Sequence, residues 1–304
     1  MSSRATLCEH LISKARRHWI MPGEKLGIKE IEDLGYYDFM GYMGVPFFNI
    51  GGAASMDRVA ELCHITEDTV VLDVGCGTGG NACYLANKYG CTVVGVDVAE
   101  QMVDYARRRA AELGLSDRVS FKVGDAYNLE FPDEGFDVVL TIFVSQFLDP
   151  ARAFPEFMRV LKKGGHLGIN EMYRADVVPP EALDRVDYGE RVFKELTDLP
   201  FTLRSPSTWV GAMKSAGFME VVVEEHSNVS EKPYALNMVD EFGGWGKLIA
   251  TLWELLVLEV RSSKMRGRFH KLSKGKSVLL RDKVASKYIG YVICVGTKPV
   301  SADG

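Results

Sequence analysis

The chain has 304 residues, 47% of them hydrophobic and 25% charged, with a net charge of −5 at pH 7. This balance suits one large soluble globular domain or a domain with a cap, excludes a disordered chain, and argues against general nucleic-acid binding. No apolar run is long enough to span a bilayer, the N-terminus is polar and basic without an apolar signal core, and the six cysteines (Cys8, Cys63, Cys76, Cys83, Cys91 and Cys294) form neither a C-x-x-C pair nor zinc-ligand spacing, so no metal site is expected and a reducing, cytoplasmic setting is.

The first distinctive stretch is Leu34–Gly52, aromatic and glycine-rich, with no clean helical or strand period. Val70–Gly80 follows as an apolar strand turning into a glycine loop, with Asp73 two residues before the first glycine, and Asn81 onward reads as the start of a helix. Glycines here permit positive φ and close approach of a ligand, and the helix N-terminus offers N–H groups to an anionic ligand group. Gly75, Gly77 and Gly80 literally match G-x-G-x-x-G, the dinucleotide fingerprint. Asp73 opposes that reading, because a carboxylate beneath the loop repels pyrophosphate. S-adenosylmethionine (SAM) has no phosphate, and its sulfonium and ammonium suit an acidic neighbour. A second strand, Cys91–Asp97, ends on a carboxylate about 20 residues after the loop, where an acid can hold both ribose hydroxyls. Val119–Asn128 supplies a third strand ending near Asp125 and Ala126, and Phe136–Gln146 a fourth. Leu161–Tyr173 is a fifth, entered by a tight K-G-G turn and carrying Asn170, Glu171 and Tyr173 towards its end. His166 lies at its start, the wrong end for catalysis. Pro180–Leu196 reads as a charged, solvated helix and Pro206–Gly217 as a short helix with a glycine stop, while Phe218–Glu225 and Tyr288–Thr297 read as the last two strands.

The run D-V-G-C-G-T-G-G at Asp73–Gly80, followed by Asp97 and by G-D-A at Gly124–Ala126, resembles the motifs of the class I SAM-dependent methyltransferases, with a type 11-like domain similar to small-molecule and quinone methyltransferases. The resemblance covers roughly residues 65–225 and 288–298. It implies a doubly wound, seven-stranded Rossmann-like α/β sheet whose last strand is antiparallel, with an N-terminal lid segment and a helical, basic insertion before that strand. It also implies SAM as cofactor and S-adenosylhomocysteine as product. On it, Asp73, Gly75, Cys76, Gly77 and Gly79 line the loop side and Asp97 holds the ribose. Val98 and Met102 flank the adenine or ribose, Asp125 and Ala126 read the adenine, and Phe143 and Gln146 face the methyl group and the acceptor. Val98 and Met102 are equally readable as core residues, and Asp125 as a turn cap. The segment before motif I resembles a lid in which Tyr36, Tyr37 or Tyr42 can meet the sulfonium or substrate, and Gly51 and Gly52 let the backbone pass the cofactor carboxylate. Packing of this aromatic segment onto the core is the competing reading.

Three units are expected: a lid at 1–55, a SAM-binding core at 56–225 plus 288–298, and an insertion at 226–287 forming part of a substrate cap. Within the insertion, Trp245, Leu248, Ile249, Leu252, Leu255 and Leu256 recur at helical spacing and predict an amphipathic helix with one apolar face, too short and too charged to span a membrane. From Arg261 to Lys283 there are nine Lys or Arg against one acid, Asp282, which leaves the rest of the chain strongly acidic. That strip reads as a solvated face, as a contact with an anionic substrate or partner, or as a peripheral contact with anionic lipid.

The expected function is methyl transfer to a small-molecule acceptor by in-line displacement. A lipid, quinone or protein acceptor is the alternative, and a non-catalytic SAM-binding regulatory protein is the alternative of another class. A base is needed only if the nucleophile carries a proton of high pKa. Glu171 is the first candidate, with Tyr37 and Gln146 behind it. The acceptor, its reacting atom and the oligomeric state, a homodimer included, stay open on the sequence.

Overall fold

The computed structural model describes residues 25–45, 50–197, 201–227, 244–280 and 282–300. Cys8, His10 and His18, residues 46–49 of the aromatic segment, and residues 228–243 and 281 of the insertion lie outside the described residues.

Seven strands form one sheet: β1 (Val70–Val74), β2 (Thr92–Asp97), β3 (Val119–Val123), β4 (Phe136–Ile142), β5 (Leu161–Arg174), β6 (Met219–Ser227) and β7 (Ile289–Thr297), in the spatial order β3-β2-β1-β4-β5-β7-β6. β1 to β5 are parallel, and β7 runs antiparallel between β5 and β6. The order reverses between β1 and β4, which opens a crevice beyond the carboxyl ends of the strands where ligands bind in such sheets. Parallel strands covered on both faces need near-continuous apolar sequence. β1 and β4 supply it, with Leu72, Val139 and Leu140 fully buried.

Helices α3 (Gly52–Leu62), α4 (Gly80–Tyr89) and α5 (Glu100–Glu112) cover one face through Met56, Val59, Leu85, Val103 and Ala106. Helices α6 (Pro150–Val160) and α8 (Pro206–Ser215) cover the other through Phe154, Phe157, Trp209 and Met213. Local signals set their ends. Asp149 caps α6 by accepting from the Ala151 N–H, with Pro150 in the first turn, and Gly90 stops α4 in the left-handed conformation.

Above the crevice sits a second layer. Helices α1 (Ile28–Asp33) and α2 (Tyr36–Tyr42) pack against α9 (Trp245–Arg261) and α10 (Ser263–Leu280) through Ile31, Leu34, Phe39, Leu258 and Met265. The aromatic segment therefore contains helices of six and seven residues, too short to show a period in the sequence. The helix α7 (Pro180–Thr197) buries Ala182 and Val186 despite its charge. Its Arg185 pairs with Asp282 at 3.0 Å.

The single apolar face expected for α9 is split in the structure. Leu248 and Leu258 are buried, but Trp245, Ile249, Leu252 and Leu256 are turned to the outside, 50% or more exposed. Nearly the whole circumference of this helix is apolar, so periodicity alone did not choose the seam that packs. Among the described residues no helix is long and apolar enough to cross a membrane.

Candidate active site

The glycine loop joins β1 to α4 with Gly75, Gly77 and Gly79 at φ of 74°, 51° and 74°. L-residues rarely adopt these values. A Cβ on Gly75 would clash with Val144 Cγ2, and one on Gly79 would come within 2.7 Å of Phe121 Cζ. The loop thus sits flush against the turn after β4 at Gly75 and against β3 at Gly79. The Gly75 and Cys76 N–H groups donate to the Val96 carbonyl at 2.7 and 3.0 Å. The Cys76 thiol is buried and pushed well above its usual range by that burial, so what this residue offers a ligand is backbone. The Thr78 hydroxyl donates to the Val45 carbonyl at 3.2 Å and ties the loop to the N-terminal layer.

Strand ends place three carboxylates along this edge. Asp97 Oδ2 accepts the Gly77 N–H and Oδ1 the Ala99 N–H, both at 2.9 Å, so one carboxylate fixes the glycine loop and the start of α5 together. Asp73 is buried beneath the loop, its Oδ2 has no hydrogen-bond partner, and burial, then the nearby Asp97 charge, push its carboxyl up to about 7. Asp125 Oδ1 accepts the Tyr127 N–H at 2.9 Å, the turn-capping geometry, with the half-buried Ala126 beside it. Val98 is half-buried at the end of β2, and Met102 is buried against α2, its Cε 3.2 Å from where a Gly41 Cβ would stand.

The turn after β4 forms the far wall. Phe143 holds a φ of 60° without being glycine, a strained conformation of the kind that clusters at working sites. Its N–H donates to the Asn170 carbonyl at 2.8 Å. Glu171 Oε1 accepts the Val144 and Ser145 N–H groups at 3.0 and 2.7 Å, and Glu171 Oε2 has no partner. Burial pushes this carboxyl up to about 8, against the lowering effect of those bonds and of the Arg204 charge. Gln146 is buried, with Nε2 on the Phe143 carbonyl and Oε1 unpartnered. From the other side, the Arg204 guanidinium donates to the Ser145 and Leu148 carbonyls at 3.2 and 3.0 Å while lying over the Trp209 ring.

Glu171, expected towards the end of the fifth strand, lies inside it. β5 runs on to Arg174 because β7 pairs with it through Ile289, and Glu171 is fully buried within the strand. Beside it, Asn170 Nδ2 donates to Ser55 Oγ and Ser55 Oγ to the Gly52 carbonyl, each at 2.9 Å. This relay holds the Gly51–Gly52 corner, with φ of 97° and 49°, over the end of β5.

Tyr37 projects from α2 towards the turn, its ring edge-on to Phe147 with centroids 6.1 Å apart. Its hydroxyl is pushed well above the usual 10.0 by burial first, then by the charges of Tyr36, Glu171 and Asp97. Tyr42 points away, donating to Glu254 of α9 at 3.0 Å. Asp38, Arg204 and the Ser55–Asn170 relay escaped the sequence reading. Asp38 lies close enough to Asp97 to raise its pKa, yet nothing but an acid in an aromatic segment marked it. His166 donates to or accepts from Thr297 at the opposite end of the sheet, as expected of a structural residue.

These buried acids make a pH prediction. Asp73 rises from 3.8 to about 7 and Glu171 from 4.5 to about 8 on folding. The folded state therefore holds protons that the unfolded chain has released, and the stability they contribute is present below about pH 4 and lost as pH rises through 7 and 8. Ligand-free protein should melt at a lower temperature at pH 8.5 than at pH 6. A cationic ligand that pairs with Asp73 should raise Tm more at the higher pH. Scanning calorimetry that finds no fall in Tm across this window would show these carboxyls to be solvated.

Comparison with known proteins agrees with this architecture. A methyltransferase-domain family matches residues 72–169. Phosphoethanolamine N-methyltransferase 1 of Arabidopsis thaliana is 30% identical over 186 residues, 61% of this chain and 36% of that protein. A probable chloroplastic tocopherol O-methyltransferase of Oryza sativa subsp. japonica is 35% identical over 181 residues, 53% of this chain and 50% of that protein. The chain thus spans half or less of the length of these two relatives. A Haemonchus contortus phosphoethanolamine N-methyltransferase 2, solved with phosphomonomethylethanolamine and S-adenosylhomocysteine, superposes with a TM-score of 0.62 at 20% identity, covering 90% of this chain and 61% of that one, a likeness of fold. The matched segment runs from within β1 into β5, across the whole glycine loop and its strand-end acids, and residues 72–169 of the chain form a methyltransferase domain.

Proposed function

We propose that this protein transfers a methyl group from SAM to a small-molecule acceptor by in-line displacement, leaving S-adenosylhomocysteine. The observation that carries the reading is the buried, unpartnered Asp73 oxygen beneath a glycine loop that no side chain could replace. An orphaned buried carboxylate costs stability unless a cationic ligand group meets it, and SAM has two cations. Bound there, SAM supplies an electrophilic methyl on a sulfonium, already activated.

The protein's own part is to hold and orient. Asp97 is assigned to the ribose hydroxyls, Asp125 and the Ala126 N–H to the adenine, and Val98 and Met102 to its flanks. The backbones of Gly75, Cys76, Gly77 and Gly79 and the Gly51–Gly52 corner cradle the rest. Phe143, Gln146 and Tyr37 form the wall on the acceptor side. Positioning of this kind lowers a barrier by roughly 7–11 kcal/mol, provided water is excluded, and the layer formed by α1, α2, α9 and α10 supports that exclusion. Glu171 is the base for an acceptor that carries a proton.

Phe143 and Ile50 pack in one apolar cluster with Phe147, Phe193 and Phe201; assigned to the acceptor side, that cluster supports an acceptor with an apolar or planar body. That cluster, with the tocopherol-methylating relative, favours a lipid or quinone as the second reading. A chain that binds SAM without chemistry is the reading of another class. The described cysteines are all free and buried, which supports a reducing, cytoplasmic setting. The experiment combines purified protein, methyl-labelled SAM and a cell extract separated into aqueous, lipid-extractable and protein fractions. Label is expected in a small molecule of the aqueous or lipid-extractable fraction. Label confined to protein would overturn the acceptor class, and SAM binding with no label anywhere would overturn catalysis.

A further inference from the structure

The outward face of α9 carries Trp245, Ile249, Leu252, Trp253, Leu256 and Val260, between 50% and 68% exposed. Spacings of four, three, one, three and four residues put all six on one stripe of the helix. No described residue covers it, although the opposite face, through Leu255 and the buried Leu258, packs on the N-terminal layer. A contiguous apolar strip with two tryptophans is not an ordinary solvated surface.

Its surroundings are basic. Lys247, paired with Glu112 at 3.1 Å, and Arg261 stand exposed at the two ends. Arg266 lays its guanidinium on the Glu259 and Val260 carbonyls, at the C-terminal end of the stripe. α10 continues the positive charge with the exposed Lys264, Lys271 and Lys274. Of the two acids on α9, Glu259 borders the stripe and Glu254 turns inward to Tyr42. Parts of the basic strip serve inside the fold: Lys264 pairs with Asp33, Lys271 with Glu195 at 4.0 Å, and Arg268 donates to the Leu34 carbonyl at 2.7 Å. The strip by itself is therefore not the docking surface.

We propose that the α9 stripe seats this protein on an anionic lipid bilayer, with the helix lying in the interfacial plane and the flanking cations against the headgroups. The charge chooses this occupant. A second copy docking face to face would bring two basic strips together, whereas an anionic membrane complements them. Tryptophan is the side chain that favours the headgroup boundary, and a helix with an apolar face and cationic flanks binds there without spanning. This docking goes beyond methyl transfer and does not depend on which acceptor is used.

The test floats the full chain with vesicles of phosphatidylcholine alone and of phosphatidylcholine with phosphatidylglycerol. Tryptophan emission is followed in a Trp19→Phe background, where Trp209 is fully buried and the signal change comes from α9. Co-flotation with the anionic vesicles, a blue shift and quenching by brominated lipid are expected. The Trp245→Ser/Trp253→Ser variant should bind roughly tenfold or more weakly, and Arg261→Gln/Arg266→Gln should lose most of the salt dependence. Both variants should keep the wild-type affinity for SAM, which separates a failure of docking from a failure of the cofactor site. Absence of flotation with anionic vesicles overturns the proposal. So does a dimer in sedimentation that the tryptophan substitutions dissolve, or tryptophans already shielded from iodide without vesicles, as cover by residues 228–243 would produce.

Discussion

Replacing Asp97 by Ala should weaken SAM binding by at least about 100-fold in titration calorimetry, with a folded protein remaining. The carboxylate accepts the Gly77 and Ala99 N–H groups at 2.9 Å each. Hydrogen bonds to a charged group contribute about 1.5–3 kcal/mol apiece, and a buried donor left unmatched adds its own desolvation cost. Losing both unfastens the glycine loop from β2 at Gly77, where a φ of 51° keeps the backbone close to the ligand edge. The ribose contact assigned to the same carboxylate goes with them. Two such bonds correspond to about 3–6 kcal/mol, hence a factor of 10² or more if the loop's order is needed for binding. Part of this is a stability cost in the ligand-free protein, so Tm should fall as well, and the affinity has to be measured well below the new melting point. Asp97→Asn sharpens the result. The amide keeps one acceptor oxygen but sets an N–H against a backbone N–H, and it should fall between wild type and Ala. Wild-type affinity in both variants would show the ribose assignment to be wrong.

What could be read from the chain beforehand was what is local in it. β1, the glycine loop and α4 occupy contiguous residues, so the chemistry of Asp73–Gly80 was visible as a pattern, and the following strand ends fell in order behind it. The parts that went unread depend on residues far apart. Glu171 lies inside β5 only because Val292 of β7 pairs with it and Ile289 carries the pairing on to Arg174. The inward seam of α9 is selected by the N-terminal helices, with Tyr42 and Glu254 separated by 212 positions. Arg204 acts through backbone carbonyls, which leave no trace in residue types. Asp38 joins the site by tertiary placement of a seven-residue helix. Each miss is a contact whose partner has no fixed sequence spacing, whereas each expectation that located an element rested on a spacing of a few residues.

Glu171→Gln should lower kcat by about 10²–10⁴-fold with an acceptor whose nucleophile must lose a proton, and change SAM affinity little. The amide oxygen can still accept the Val144 and Ser145 N–H groups that Oε1 holds at 3.0 and 2.7 Å, so the turn bearing Gln146 stays in place. What is lost is the basicity of Oε2, the oxygen with no partner. Burial pushes the carboxyl up to about 8, so near pH 7 it is mostly protonated and cannot accept. The wild-type rate should therefore climb as pH rises through about 8 and level off above it, and the Gln variant should be flat over the same range. SAM in the site adds positive charge nearby and would draw that limb to lower pH, so the limb in kcat/KM for the acceptor at saturating SAM is expected below the one seen in the ligand-free enzyme's titration. Glu171→Ala separates base from scaffold. It leaves two buried N–H groups unpaired at about 1–3 kcal/mol each and should lose Tm and SAM affinity where Gln does not. Full turnover in Glu171→Gln, with the pH limb still present, would reduce Glu171 to a positioning residue for the Phe143–Gln146 turn and leave Tyr37, whose hydroxyl feels both Glu171 and Asp97, as the group to test next.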